Sequence, residues 1–522
     1  MGDNSHVLSK EKRKEFLILI LCLFIGFSLR FYRFDQKSLW MDEIYTFEDS
    51  RDNFKEQLKF YADNPTFLHP PLFFVLTHLF YPFPKPERDL RIIPLIFGTL
   101  SILMIYLVSK SFSASIALPS ALSLTFMAYH VSLSQDGRSY SLLLFLGMTG
   151  LYFFMKHLKT HKKRYLLFVA LCYAILVHTS YSSIPFIALS QILWFYKTDE
   201  QRNLPPLSCF LLLNGLILLF CLPWIIFLGL HYKGQPVTDL RNIQSPLSFW
   251  SIMYGVFHDW VPYLPLMVSS AILLALLPFF SKNKGNALIL LSLTVLPVMG
   301  LHLYCKLLNI THFVTSRYFI CFLPLFLVSL YLSLDALETI SAKTRGFIRL
   351  KFLFVILFIA SNLVILPLYY RSEKQDYRGV VTYLKGQLKD GDKIIVGNAI
   401  YISVMLHYFG IHPAGRHHII PAWKVSEQEF EHRMPLVYKN TRFTIIYSKS
   451  HWFKYLTDGS RLWMVSDKKN AKMIMQNFPC PLKGYFDGSF LNFNRFPVDA
   501  SIYLFLWDPK SPNEKGIDMP IE

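Results

Sequence analysis

The chain of 522 residues is short of charge: 17% of it is Asp, Glu, Lys or Arg, against 53% hydrophobic and 16% aromatic residues. Soluble domains carry roughly 25% charged residues, so a water-facing globule of this size is excluded. The chain also lacks the short signatures of nucleotide-dependent and hydrolytic enzymes. No P-loop, G-x-G-x-x-G, H-E-x-x-H or G-x-S-x-G occurs, which leaves no cradle for a soluble nucleotide donor. Seven cysteines are scattered without C-x-x-C spacing, and six of them (Cys22, Cys172, Cys209, Cys221, Cys305, Cys321) lie in or beside apolar runs. That pattern argues against a disulfide framework or a zinc site and treats the thiols as small apolar groups. No small-residue cleavage site follows the first apolar run; Arg30-Phe31-Tyr32-Arg33-Phe34 stands there, so the run is read as an uncleaved span. Internal repeats and low-complexity tracts are missing too.

What the chain has is a series of apolar runs of roughly 17–25 residues, each long enough to cross a bilayer as a helix. After a basic, cytoplasmic N-terminus at 1–14, spans are expected at about 16–29, 91–109, 113–129, 139–156, 165–179, 182–197, 206–230, 262–280, 287–305, 316–334 and 350–370, eleven in all. Threading them alternately puts the basic stretches 156–164, Lys282/Lys284 and 343–351 on the cytoplasmic side, in agreement with the positive-inside rule. The formal net charge of +18 belongs largely to such short loops, and no interleaved basic and aromatic groove for nucleic acid is present. The expected architecture is a polytopic α-helical membrane protein with a transmembrane domain at 15–371 and a soluble extracytoplasmic α/β domain at 372–522. In the tail, strand-like runs at 393–397, 441–447, 462–465 and 502–507 alternate with helical stretches at 380–388 and 468–478. Asp390-Gly391-Asp392 imitates a metal-binding D-x-D but reads better as a turn.

The same threading gathers the polar clusters on the outer face. The outer segment 31–90 holds Ser38-Leu39-Trp40-Met41-Asp42-Glu43, an acidic pair beside an aromatic at a membrane edge, where carboxylates are costly and mark function. It also holds His69-Pro70-Pro71-Leu72, followed by an apolar stretch at 72–81 too short to cross. A second outer loop carries Ser134-Gln135-Asp136-Gly137-Arg138-Ser139-Tyr140, and Arg317-Tyr318 opens a later span. Asp42 suits a general base and the planar forks of Arg138 and Arg317 suit a phosphate. Solvated loop acids, a helix-start histidine and snorkelling arginines are the bland readings of the same residues.

These motifs resemble the C-type-fold (GT-C) membrane glycosyltransferases, the superfamily of protein O-mannosyltransferases and lipid A aminoarabinose transferases, over about residues 15–335. Two mild departures are Gly137, where members carry a small residue, and Asp136, where Glu is common. The resemblance implies transfer of a sugar from a polyprenyl-phosphate carrier to an acceptor hydroxyl of a lipid, glycan or protein, on the outer face of a bacterial inner membrane and with inversion. It implies Asp42 as general base, Glu43 as its catalytic neighbour, and Arg138 and Arg317 on the donor phosphate. Trp40, Tyr45, His69, Asp136 and Tyr140 are expected to line the substrate site. A divalent cation fits such chemistry as an aid, but no ligand set in the sequence requires one. The rival reading is a transporter or flippase of lipid-linked sugars, although such proteins tend to show paired repeats and polar groups near the midplane.

Overall fold

The computed structural model describes residues 2–63, 69–197, 205–232, 248–307, 316–344, 349–397, 400–411, 437–439, 442–447, 456–457, 459–478, 480–490, 498–511 and 514–519. Part of the expected basic run at 343–351 lies outside these residues.

Helix α1 (Gly2–Phe31) turns Phe16, Leu17, Ile20, Leu21 and Phe24 outward, an apolar exterior that suits lipid. Three short helices follow: α2 (Met41–Arg51), α3 (Phe54–Asp63) and α4 (Leu72–His78). The apolar stretch 72–81 is thus a helix of two turns, with Leu79 and Tyr81 exposed just beyond it. Next come α5 (Ile92–Phe112), α6 (Ala117–Phe126), α7 (Ala128–Ser134), α8 (Tyr140–Thr160) and α9 (Lys163–Thr179). Beyond them lie α10 (Leu207–His231), α11 (Phe249–Trp260), α12 (Leu264–Phe280), α13 (Lys284–Leu307), α14 (Leu323–Thr344) and α15 (Leu350–Arg371). Large side chains such as Leu143, Phe154, Tyr173, Phe186, Phe326 and Phe358 fill the core between them.

Two breaks have local causes. Between α6 and α7 the axis bends by 61°, because Met127 leaves the helical region at ψ 107°. The Ala128 N–H freed there donates to the Asn362 side chain of α15 at 2.8 Å, as a backbone group inside a bilayer must find a partner in the protein. The 113° bend between α11 and α12 falls at Val261-Pro262, where the proline drives its predecessor out of the helical region.

By length and composition, six of the described helices can cross a membrane, or up to eight if each bent pair is one span. Eleven spans were expected, and the helices stand where those spans were placed. The lower number arises because α9 has 17 residues, the 181–195 stretch is a short helix between two 3-10 turns, and α1 carries Lys14, Glu15 and Arg30 around its apolar run. The chain is an integral membrane protein.

Beyond α15 the chain folds as a mixed α/β layer. Helices α16 (Tyr377–Gln387), α17 (Ile400–Phe409) and α18 (Lys468–Asn477) accompany strands β1 (Asp392–Val396), β2 (Val437–Lys439), β3 (Phe443–Tyr447), β4 (Leu462–Ser466), β5 (Leu482–Phe486) and β8 (Ile502–Trp507). The six strands lie in the order β2-β3-β1-β4-β8-β5, with β1 parallel to both β3 and β4, and β6 (Ser489–Phe490) pairs separately with β7 (Val498–Asp499). Asp390-Gly391-Asp392 is the expected turn, with Gly391 at φ +86° and the buried Asp392 carboxylate held by Arg461 and the Trp463 N–H.

The sheet layer does not hang free. Leu39, Ile44, Phe47, Phe83 and Leu90 share one buried cluster with Tyr377, Val380, Val381, Met405 and Trp463. The segment that follows α1 is therefore packed between the helix bundle and the C-terminal layer.

Candidate active site

The acidic pair lies in the first turn of α2, where the helix N-terminus favours negative charge. Its two members differ completely in surroundings. Glu43 is fully buried: its carboxylate receives Arg91 Nε at 2.7 Å and Nη2 at 2.6 Å, and the Gly137 N–H at 2.7 Å. Arg91, also buried, further donates to the carbonyls of Phe34 (2.9 Å), Lys37 (3.0 Å) and Ser38 (3.1 Å). All five guanidinium N–H groups are thus used, and the 34–38 turn is wrapped around one cation. A Cβ on Gly137 would stand 3.1 Å from Glu43 Oε1 and from Leu90 Cβ, a tight approach that would press the second loop against the acidic pair.

Asp42 points the other way and stays partly open. Its Oδ2 lies 3.3 Å from Arg317 Nη1, with each side chain 21% exposed. The Arg317 guanidinium is set 5.3 Å from the Trp40 ring and 5.2 Å from the Tyr140 ring, a cation flanked by two aromatics. Ser316, next to it, is fixed by Asp259 Oδ2 at 2.5 Å and the Tyr129 hydroxyl at 2.8 Å. Arg138 meets the backbone here: its Nη1 donates to the Asp42 carbonyl at 3.1 Å and to Thr46 Oγ1 at 3.2 Å. Burial works against its charge, but Asp42, Tyr140 and Asp136 together outweigh it, so its pKa is raised.

Asp136 is buried and accepts the Trp40 indole N–H at 2.9 Å, while its other oxygen pairs with Lys374 at 3.1 Å. Burial by itself would push this carboxyl up; the Lys374 ammonium, then Arg317 and the Trp40 N–H, bring it below the usual carboxylate range. Tyr45 is half-buried, and burial first, then Asp42 and Asp49, raises its phenol. His69 is exposed beside the buried Pro70 and Pro71 at the entry to α4.

The structure thus brings together Trp40, Asp42 and Glu43 from the start of α2, Asp136 and Arg138 from the turn between α7 and α8, Tyr140 from the start of α8, and Arg317 from the 3-10 segment that leads into α14. Arg91 and Lys374 complete the group without having been singled out from the sequence. Arg91 reads there as an ordinary snorkelling arginine at a span start, and nothing local to Lys374 sets it apart. Three acids each face a basic side chain: Asp42 with Arg317, Glu43 with Arg91, Asp136 with Lys374. Among the described residues no group of three or more His, Cys, Asp or Glu side chains could hold a metal ion.

Comparison with known proteins bears on the fold. A family model described as dolichyl-phosphate-mannose-protein mannosyltransferase matches residues 68–227. No curated protein matches the chain by sequence. Among solved structures, ArnT from Cupriavidus metallidurans in the apo state superposes with a TM-score of 0.55 at 12% identity, over 95% of this chain and 98% of that one. The same protein bound to undecaprenyl phosphate gives 0.50 at 12% identity, over 94% and 97%. The Archaeoglobus fulgidus oligosaccharyltransferase tethered to an acceptor peptide gives 0.50 at 13% identity, over 88% of this chain and 69% of that one. The ArnT likeness takes in the C-terminal layer as well as the helices. The resemblance carried by the sequence motifs and the superpositions converge: the chain has the C-type glycosyltransferase fold of an integral membrane protein.

Proposed function

We propose that the chain transfers a sugar from a polyprenyl-phosphate carrier to an acceptor hydroxyl on the outer face of the membrane, with inversion and with Asp42 as general base. The observation that carries this reading is the pairing of the partly open Asp42 carboxylate with Arg317 between Trp40 and Tyr140. Asp42 takes the proton of the acceptor hydroxyl as its oxygen attacks the anomeric carbon. The anomeric carbon–oxygen bond to the carrier breaks on the opposite side, and the electron pair leaves with the phosphate. That leaving group is already an anion, so it needs fixed positive charge more than a proton donor. Arg317 is the cation placed for it, while Arg138 braces the Asp42 carbonyl and so sets the base. Glu43 has its oxygens turned into the buried Arg91 pair, which suits a role in shaping the Asp42 turn and not in touching sugar. Trp40 and Tyr140, both buried, hold the Arg317 guanidinium between their rings and so fix the cation that meets the donor phosphate.

The related ArnT structure with undecaprenyl phosphate supports a lipid-phosphate carrier, and the oligosaccharyltransferase with its acceptor peptide supports a macromolecular acceptor as one of the choices. The test is release of polyprenyl phosphate, followed by mass spectrometry, from proteoliposomes given a panel of polyprenyl-phosphate monosaccharides. Asp42→Asn is expected to slow release by about 10²–10⁴-fold, the usual contribution of a positioned acid–base group. Turnover at the wild-type rate removes Asp42 as the base. Movement of the lipid-linked sugar between leaflets with no carrier phosphate released would favour a flippase.

A further inference from the structure

Every residue given a part in the proposed transfer lies before residue 372, yet the C-terminal layer reaches into the same site through Lys374. Lys374 stands three residues beyond α15, and its side chain is 12% exposed. Its ammonium lies 3.1 Å from Asp136 Oδ2 and 4.8 Å from the centre of the Trp40 ring. Its neighbours clamp the turn that leads to Asp42. Glu373 Oε2 accepts the Ser38 N–H at 2.9 Å, and the Tyr408 hydroxyl accepts the Leu39 N–H at 2.6 Å. The Arg378 N–H donates to Ser38 Oγ at 3.2 Å. A line of ion pairs, one hydrogen bond and one cation–π contact therefore runs from Lys374 through Asp136, the Trp40 indole and Arg317 to Asp42.

From this line we infer that Lys374 is a positioning residue, by which the C-terminal layer sets Arg317 against Asp42. The inference rests on the transferase reading for its effect on turnover. The physical reason is competition between two carboxylates for one guanidinium. Asp136 and Asp42 both act on Arg317, and Asp136 is the more deeply buried of the two. A buried carboxylate without a cation either takes up a proton or draws the nearest cation to itself. With Lys374 in place Asp136 is satisfied, and Arg317 is left to Asp42 and the donor phosphate. The other groups that face Asp136 are the Trp40 N–H, which is neutral, Arg138, and the Tyr369 phenol.

Three variants of the full chain, Lys374→Met, Lys374→Arg and Lys374→Met/Asp136→Asn, test this in two ways. The first is carrier-phosphate release across pH. Lys374→Met is expected to lower it by on the order of tens to a hundredfold, the scale of a mispositioned catalytic group. The residual rate should gain a new limb, falling as pH rises, because Asp136 ionises and then claims Arg317. Lys374→Arg should restore most of the rate, and Asp136→Asn in the Met background should remove the limb and recover activity, because no second carboxylate then claims Arg317. A lysine that merely supports the fold would give a loss that neither change rescues and no new limb, and that result overturns the inference. The second readout is the pH dependence of thermal unfolding in detergent, which needs no turnover. A limb there in Lys374→Met that disappears with Asp136→Asn supports the hold of Lys374 on Asp136, and its absence refutes it. If that limb is present but the wild-type chain releases no carrier phosphate, the transferase reading fails and the contact between Lys374 and Asp136 stands.

Discussion

Arg91→Lys isolates what the buried fork does, because it keeps the charge and removes the geometry. Arg91 spends five N–H groups on five bonds: two to the Glu43 carboxylate and three to the carbonyls of Phe34, Lys37 and Ser38. Lysine has three donors on a single nitrogen, so at least two buried acceptors lose their partner. Each orphaned acceptor costs about 1–3 kcal/mol, which makes about 2–6 kcal/mol for the turn. At 1.4 kcal/mol per decade, local opening should then become roughly thirtyfold more frequent or greater. Arg91→Met should be worse, since it also leaves the Glu43 carboxylate buried without a cation, itself a loss of about 3–5 kcal/mol. The assay is hydrogen–deuterium exchange of peptides covering residues 34–51 in the full chain in detergent. The amides of Glu43 and Ile44, bonded to the Trp40 carbonyl, report the opening directly. Exchange should accelerate in the order wild type, Lys, Met, with peptides from the C-terminal sheet changed least. Wild-type exchange in Arg91→Lys would show that the five bonds do not hold the turn, and would undo the claim that Arg91 sets the backbone from which Asp42 projects.

Two further outcomes follow from the same geometry. Gly137→Val should destabilise the chain by about 1–3 kcal/mol, the usual cost of overpacking, because its Cβ already stands 3.1 Å from Glu43 Oε1; thermal unfolding in detergent measures this, and an unshifted transition would mean that the second loop is not closed on the acidic pair. Arg317→Lys keeps a positive charge but loses the planar group that meets Asp42 through Nη1 and lies against two rings, so the apparent Michaelis constant for the lipid donor should rise roughly tenfold or more. An unchanged constant in steady-state kinetics would remove Arg317 from the donor phosphate.

The sequence by itself determined the solvent. Apolar runs of bilayer length, a shortage of charge and basic short loops follow from the cost of placing polar groups in hydrocarbon, so spans, loops and the soluble tail were legible one segment at a time. The strands at 392–396, 443–447, 462–466 and 502–507 and the turn at Gly391 were legible for the same reason: period, β-branched content and a left-handed glycine are local properties. The bent helices were harder to read, because a break at Met127 depends on Asn362 from a helix more than two hundred residues away.

Only the tertiary structure decided which member of the acidic pair is open and which is sealed. Asp42 and Glu43 are adjacent and chemically alike, and the sequence reading carried both as catalytic. Their fates diverge because α2 turns one toward Arg317 and the other toward Arg91, cations 226 positions apart along the chain. Lys374 was hidden for the same reason. Its meaning lies in a distance to Asp136 that the packing of the C-terminal layer on the 31–90 segment creates, and no local pattern of residues encodes such a distance.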